Sequence, residues 1–293
     1  MRDRIARAAR SVLRPLKHSR LVRAANPTLS TTVAGRTYRV PLIHGMGLVN
    51  VGMREQWMVD ALRLLLPSHP GAFVDIGANV GQTLLKAKAV APAVPYVGFE
   101  PNPASAYYVT KLIEANALPG CTLVPVGVGA QNELAALHFY DDQDAGVGAS
   151  LTAAFRPDEV VHRTQVVPVF TLEAGLAAAG IDRVGVLKVD AEGLEVDILE
   201  AAQAFLNAQR PAVLVEILPA YSADHRFRVE RQDRLVALLH ALAYTLYQVV
   251  LHDDNSLHGV RQIDAIEVHA DPRRTDYVAL PDGDSTLEAV RLR

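Results

Sequence analysis

The chain has 293 residues, half of them hydrophobic, a net charge of -3 and one cysteine. That is long enough for one large α/β domain with decorations or for two small domains. The charge argues against a general nucleic-acid binder, and the single Cys121 excludes an intramolecular disulfide or a cysteine-rich zinc site; flanked by Gly120 and an apolar run, it reads as a buried thiol. No apolar run approaches the ~18 residues of a membrane span, and the cytosol is the expected compartment.

Residues 1–23 carry seven Arg and one Lys against one Asp, a balance of +7 that leaves -10 for the rest. They read as a solvated basic arm or surface helix. A weak apolar face of Ile5, Val12, Leu13 and Leu16 also allows a membrane-surface or acidic-partner contact, and a transit peptide is a third reading. The segment lacks the continuous apolar core of a secretory signal. Residues 24–50 read as strands and loops, with a short strand at Tyr38-Arg39-Val40, so residues 1–56 form a basic arm and a small extension. Residues 57–293 form the main domain, with no linker-like boundary inside it.

Trp57, Met58, Ala61, Leu62 and Leu65 recur at helical spacing within 56–66, and Pro67 and Pro70-Gly71 end that helix. Strands and helices then alternate: strand 72–76, helix 82–90, strand 94–99, and a helix 103–115 with Pro103 in its first turn. Further strands are read at 122–126, 134–140 and 165–169, and a helix at 171–179 stopped by Gly180. Strand 184–189, helix 194–206, strand 212–217, helix 228–242 and strands 244–251 and 277–280 complete the pattern. Alternation of this kind implies right-handed crossovers and a mainly parallel sheet with helices on both faces, the last two strands forming an antiparallel edge.

Ligands of such a sheet bind beyond the carboxyl ends of its strands. The first parallel strand ends at Asp75-Ile76, and Gly77 and Gly81 let the backbone turn tightly and approach a ligand. A dinucleotide site would need G-x-G-x-x-G to seat a pyrophosphate; here the pattern is Asp-x-Gly-x-Asn-x-Gly. An acid at the strand end suits a cationic ligand, and Asn79 offers both a donor and an acceptor. Glu100, at the end of the second strand, lies where a carboxylate accepts both hydroxyls of a ribose. These features favour S-adenosylmethionine over NAD.

Three stretches, Phe73–Gly81 (FVDIGANVG), Phe99–Pro103 (FEPNP) and Leu187–Leu199 (LKVDAEGLEVDIL), together resemble the FkbM-family methyltransferases. The resemblance runs from about Trp57 to Ile217, and Arg274–Pro281 (RTDYVALP) resembles the family's closing strand. It implies a Rossmann-like class I methyltransferase fold, with a mainly parallel seven-stranded sheet and an antiparallel edge strand. It also implies S-adenosylmethionine as cofactor and O-methylation of a hydroxyl on a sugar or other specialised metabolite. By motif position, Asp75, Gly77, Asn79 and Gly81 would surround the amino-acid part of the cofactor, Glu100 would hold the ribose, and Pro101 and Asn102 would lie beside the ribose or adenine. The third motif has Val189 and Ala191 where the family usually has Ile and Val, with the acids intact.

Lys188, Asp190 and Glu192 alternate at the end of the fourth strand and so point to one side of an extended chain. Three ionisable groups there are costly unless they bind something; the bland alternative is a helix start, with Asp190 or Glu192 favouring the helix N-terminus and Glu195 solvated. An alcohol acceptor needs a base, and Asp190, Glu192 and Glu216 are the candidates. Lys188 would lower the pKa of neighbouring carboxylates or hold the substrate oxygen. The same three acids are an alternative, not favoured, site for a hard cation such as Mg²⁺. His44, His138, His162 and His225 read as structural or surface residues, and His252 and His258 as part of a polar loop. Residues 141–150 read as a loop that closes over substrate. Two competing readings are an NAD-dependent oxidoreductase or epimerase and a module that binds cofactor without catalysis. The Tyr107/Lys111 pair, the one match to a Tyr-x-x-x-Lys signature, is misplaced for the first, and the retained acids oppose the second. The acceptor and the oligomeric state are not specified by any motif.

Overall fold

The computed structural model describes residues 25–53, 55–140, 149–152 and 159–292. The basic segment 1–23 lies outside them, as does most of the loop expected to close over substrate. Among the described residues no helix is long and apolar enough to cross a membrane.

The chain opens with a hairpin, β1 (Thr28–Val33) and β2 (Arg36–Pro41), and a short helix, α1 (Leu48–Val51). Helix α2 (Gln56–Ser68) continues one residue past Pro67, where a missing N–H falls in the last turn and Leu65 O still accepts the His69 N–H. The main alternation follows: β3 (Ala72–Ile76), α3 (Gln82–Val90), β4 (Tyr96–Phe99), α4 (Pro103–Asn116) and β5 (Cys121–Val124). Strands β6 (Gly127–Val128), β7 (Glu133–Phe139) and β8 (Arg163–Phe170) leave the main sheet and pair with each other in the order β6-β8-β7. Then come α5 (Leu172–Ala178), β9 (Val184–Val189), α6 (Glu195–Ala201), α7 (Gln203–Gln209), β10 (Ala212–Glu216), α8 (Arg226–Ala241), β11 (Tyr244–Leu251), β12 (Leu257–Ile263) and β13 (Asp276–Pro281). The helix expected over 194–206 is two segments bent at Ala202 (φ -88°, ψ 17°), and both Leu199 and Phe205 still reach the core.

The main sheet has eight strands rather than seven, in the order β12-β11-β13-β10-β9-β3-β4-β5. Strands β5, β4, β3, β9 and β10 are parallel, β13 runs antiparallel between β10 and β11, and β12 adds a further antiparallel strand outside β11. The expected antiparallel edge is therefore three strands wide. Strand β12 (LHGVRQI) escapes sequence reading because its outer face is polar and only Gly259 and Val260 are buried. By contrast β3 and β9 are buried at every residue, as parallel strands covered on both faces must be.

Period-2 alternation sorts these strands between two apolar layers. Val74, Ile76, Leu187, Val189, Val213, Val215, Tyr277 and Ala279 pack beneath α5–α8. Phe73, Val186, Leu214 and Val278 pack beneath α2–α4, with Val33 and Tyr38 of the hairpin in the same layer. Asp75, Lys188, Glu216 and Asp276 each stand two residues along from a member of this second set, so four adjacent strands present four ionisable residues on one sheet face. Asn116 clamps the hairpin to α4 by accepting the Arg39 N–H at 2.7 Å and donating to the Arg39 carbonyl at 2.8 Å.

Candidate active site

The first parallel strand ends on a buried charge. Asp75 is fully buried; its Oδ2 accepts the Tyr96 hydroxyl at 2.6 Å, and its Oδ1 lies 3.1 Å from Lys188 Nζ. Asp75 and Lys188 are register partners on β3 and β9, which is why the pair forms. Lys188 also donates to Asp190 Oδ2 at 3.1 Å and to the Gly77 carbonyl at 3.4 Å. Burial alone would push the Lys188 ammonium down, but Asp190 and Asp75 outweigh it and hold it above its ordinary value. Burial raises the Asp75 carboxyl, against the pull of Lys188 and Tyr96. Asp75 lines neither cleft described below. Through Lys188, which also donates to the Gly77 carbonyl, it supports the loop from beneath.

The loop after β3 is shaped by backbone geometry. Gly77 (φ 81°) passes so close to β9 that a Cβ there would lie 1.8 Å from the Asp190 carbonyl. Asn79 also adopts a left-handed conformation (φ 46°), and Gly81 (φ 77°) starts α3. The Asn79 N–H donates to Glu100 Oε2 at 2.7 Å and the Asn102 N–H to Glu100 Oε1 at 2.8 Å. Glu100 therefore ties the ends of β3 and β4 together while facing a cleft. Burial pushes its carboxyl up to about 7, against those two N–H donors. Asn102 is buried and caps α4, accepting the Ala104 N–H at 3.0 Å, with Pro103 in the first turn; Pro101, not Asn102, lines the cleft.

After β9 the chain turns through Glu192 (φ 49°) and Gly193 (φ 106°). Glu195 organises this turn: Oε1 accepts the Ala191 N–H at 3.0 Å and the Gly193 N–H at 2.9 Å. A solvated Glu195, as the helix-start reading expected, is not found; the loop's orphan N–H groups draw it inward, and burial pushes its carboxyl up to about 7. Buried Ser150 donates to the Glu192 carbonyl at 2.7 Å and joins the small sheet to the turn.

Two clefts meet at this loop and share Gly77, Asn79 and Asp190. The first has apolar walls of Phe99, Pro101, Val128, Leu137 and Leu151, with Glu100 and Glu192 as acids beside the shared Asp190. The second is polar: Glu55, Gln82, Lys188, Glu216 and Asp276 line it beside Trp57 and Met58. Glu216 and Asp276 are half-buried; partial burial and the nearby Asp190 and Asp276 charges push Glu216 up to about 9, and burial with the Glu55 charge pushes Asp276 up to about 7.

Of the residues the sequence singled out, Gly77, Asn79, Glu100, Pro101, Asp190, Glu192, Lys188 and Glu216 line these clefts; Asp75, Gly81 and Asn102 shape them from behind. Sequence reasoning passed over Asp276, Glu55 and Tyr96. His44, His138, His162 and His225 line neither cleft, and His252, just past β11, pairs at 3.2 Å with His258 on β12. Tyr107 is exposed on α4 and Lys111 pairs there with Glu114; neither lines the clefts. Among the described residues no group of three His, Cys, Asp or Glu side chains is arranged to hold a metal ion.

These raised carboxyls predict an unusual pH dependence of stability. Glu100, Glu195, Asp276 and Glu216 keep protons in the native state that the unfolded chain releases near 4 to 4.5. The native state thus binds more protons across the window from about 4.5 to about 9, and unfolding free energy falls as pH rises through it. His269, held below its ordinary value by burial, opposes this below about 6.5 as a single group. Urea unfolding of the ligand-free protein should show a higher midpoint at pH 6.5 than at pH 8.5; a midpoint that rises with pH would contradict the assignment.

Beyond the small sheet, the strand order with β13 reversed beside β10, and the acids at the carboxyl ends of β3, β4 and β9, define the Rossmann-like fold of class I methyltransferases. Residues 75–246 match the methyltransferase FkbM domain, and the chain belongs to that family. It is 27% identical over 163 residues to Methyltransferase 1 of Beauveria bassiana, covering 50% of this chain and 65% of that protein. A 102-residue stretch, 34% of this chain, is 30% identical to cyclosporin synthetase simA of Tolypocladium inflatum, of which it spans 1%. Among solved structures, the methyltransferase FkbM of Methylobacillus flagellatus KT aligns with a TM-score of 0.44 at 14% identity, over 72% of this chain and 43% of that one. Cofactor-bound Rv0187 from MTB aligns with a TM-score of 0.45 at 9% identity, over 78% of this chain and 80% of that one.

Proposed function

We propose that this chain methylates a hydroxyl group of a small acceptor, a sugar or another specialised metabolite, using S-adenosylmethionine. The observation that carries the reading is Glu100. Its carboxylate is held by two backbone N–H groups at the mouth of the first cleft, next to a loop that has no room for a Cβ at Gly77. The donor set fits a nucleoside carrying a cationic amino-acid tail. The Glu100 oxygens have further lone pairs to accept ribose hydroxyls, the apolar walls suit a base, and the loop shared by the two clefts offers Asn79 and Asp190 to charged groups.

When bound, S-adenosylmethionine supplies an electrophilic methyl group on a sulfonium sulfur. The chain's own residues orient and deprotonate. Lys188 is a positioning residue in this reading, because its ammonium is committed to Asp75, Asp190 and Gly77 rather than to a substrate oxygen. Asp190 is engaged by Lys188, its Oδ2 3.1 Å from the ammonium. The second cleft receives the acceptor, and its acids supply the base.

Calorimetric titration with S-adenosylmethionine tests this reading. The wild type should bind it and not NAD, and Glu100→Ala should weaken binding about 10–100-fold by removing a charged hydrogen-bonding partner. A folded wild type that binds NAD and not S-adenosylmethionine would defeat the proposal.

A further inference from the structure

We propose that Glu216 and Asp276 act as one proton-sharing carboxyl pair that receives the acceptor's hydroxyl and takes its proton. The inference rests on the methyl-transfer reading and deepens it by naming the base and the acceptor class.

Strand β13 runs antiparallel to β10, and Glu216 stands directly opposite Asp276 in their register. Directly opposed residues on an antiparallel pair have Cβ atoms about 4.5–5.5 Å apart on the same face. Both side chains line the polar cleft, beyond the loop that carries Gly77 and Asp190. Two carboxylates this close do not both ionise readily, and one proton shared between them relieves the repulsion.

The charged groups around the pair reinforce this. Asp190 from the end of β9, Glu55 ahead of α2 and Glu192 beyond β9 add negative charge. The nearby cations are committed elsewhere, Lys188 to Asp75 and Asp190, and Lys86 of α3 to Glu55.

The protonated member donates a hydrogen bond to the acceptor oxygen while the ionised member accepts the hydroxyl proton. The oxygen forms its bond to the methyl carbon as the carbon–sulfur bond breaks with its electron pair to sulfur, and the proton passes to the carboxylate and then to water. A cleft with this charge favours hydroxyls on neutral or cationic molecules and repels anionic ones.

Infrared titration of the ligand-free protein from pH 5 to 10 reads the pair without any acceptor. The wild type should keep a protonated carboxyl above pH 7.5 that is absent in Glu216→Gln. In Asp276→Asn the Glu216 titration should move down by about one to two pH units, because the facing charge is gone. Calorimetry with S-adenosylmethionine in buffers of different ionisation enthalpy counts protons on binding. The sulfonium cation should drive proton release in the wild type, and less of it in Glu216→Gln. Glu100 also titrates near 7, but it is present in both proteins, so the difference isolates the pair. A wild-type spectrum with no protonated carboxyl above pH 7.5, or a Glu216 titration unmoved by Asp276→Asn, overturns the proposal even if S-adenosylmethionine binds. Failure of the wild type to bind S-adenosylmethionine overturns the methyl-transfer reading, and with it the assignment of this pair as base.

Discussion

Lys188→Met should destabilise the protein by about 3–5 kcal/mol, the range for removing one partner of a buried ion pair. Methionine fills most of the lysine's volume, so the loss is electrostatic rather than a cavity effect. Asp75 is fully buried, and without Lys188 its carboxylate keeps only the Tyr96 hydroxyl. The deficit should be larger at pH 8 than at pH 5.5, since an orphaned Asp75 takes up a proton more readily as pH falls. Adding Asp75→Asn should restore most of the stability, because the amide oxygen still accepts from Tyr96 and no buried charge is left over. Urea unfolding of the single and double variants measures this; a double variant no more stable than Lys188→Met would show that the lysine acts through something other than Asp75. Asp190, about one-third exposed at its side chain, turns to water at little cost and does not confuse the comparison.

How much of this was legible beforehand depended on whether a residue's role was local or required the fold. Asp75, Gly77 and Glu100 stand at strand ends whose apolar runs are unambiguous, and a parallel sheet places strand ends at the ligand edge. The same alternation that predicted Lys188 and Asp190 on one side is what aligns Lys188 with Asp75. Asp276 was not legible in this way. It is the first residue of an antiparallel strand, so it reaches the carboxyl edge only because β13 inserts between β10 and β11, and no local pattern announces that insertion. Glu195 misled for the opposite reason. An acid in the first turn of a helix ordinarily faces water, whereas here a left-handed turn at Glu192 and Gly193 directs the Ala191 and Gly193 N–H groups to Glu195. Asn102, placed by motif position beside the ribose or adenine, also caps α4, a role its sequence reading did not include, because Ala104 presents an otherwise unsatisfied N–H two residues on.

Gly77→Ala and Gly81→Ala separate a steric requirement from a conformational one. Both glycines have φ near +80° (81° and 77°), so a Cβ brings a similar left-handed penalty of about 1–2 kcal/mol at either site. Their surroundings differ. At Gly81 the nearest atom to an added Cβ is the end of the Leu112 side chain at 2.9 Å, which can rotate away. At Gly77 it is the Asp190 backbone carbonyl at 1.8 Å, held where Asp190 N–H donates to Ile76 O at 3.1 Å. Relief there requires β3 and β9 to part at their carboxyl ends. That movement would displace Lys188 from Asp75, Asn79 from Glu100 and Asp190 from the edge shared by the two clefts. Gly81→Ala should therefore lose about the conformational penalty alone and retain measurable S-adenosylmethionine binding. Gly77→Ala should lose at least about 3 kcal/mol, the scale of severe overpacking, and bind no detectable S-adenosylmethionine at concentrations that saturate Gly81→Ala. Equal stability and equal binding in the two variants would mean that the β3–β9 junction yields easily, and that the close approach at Gly77 is not what holds the loop after β3 in place.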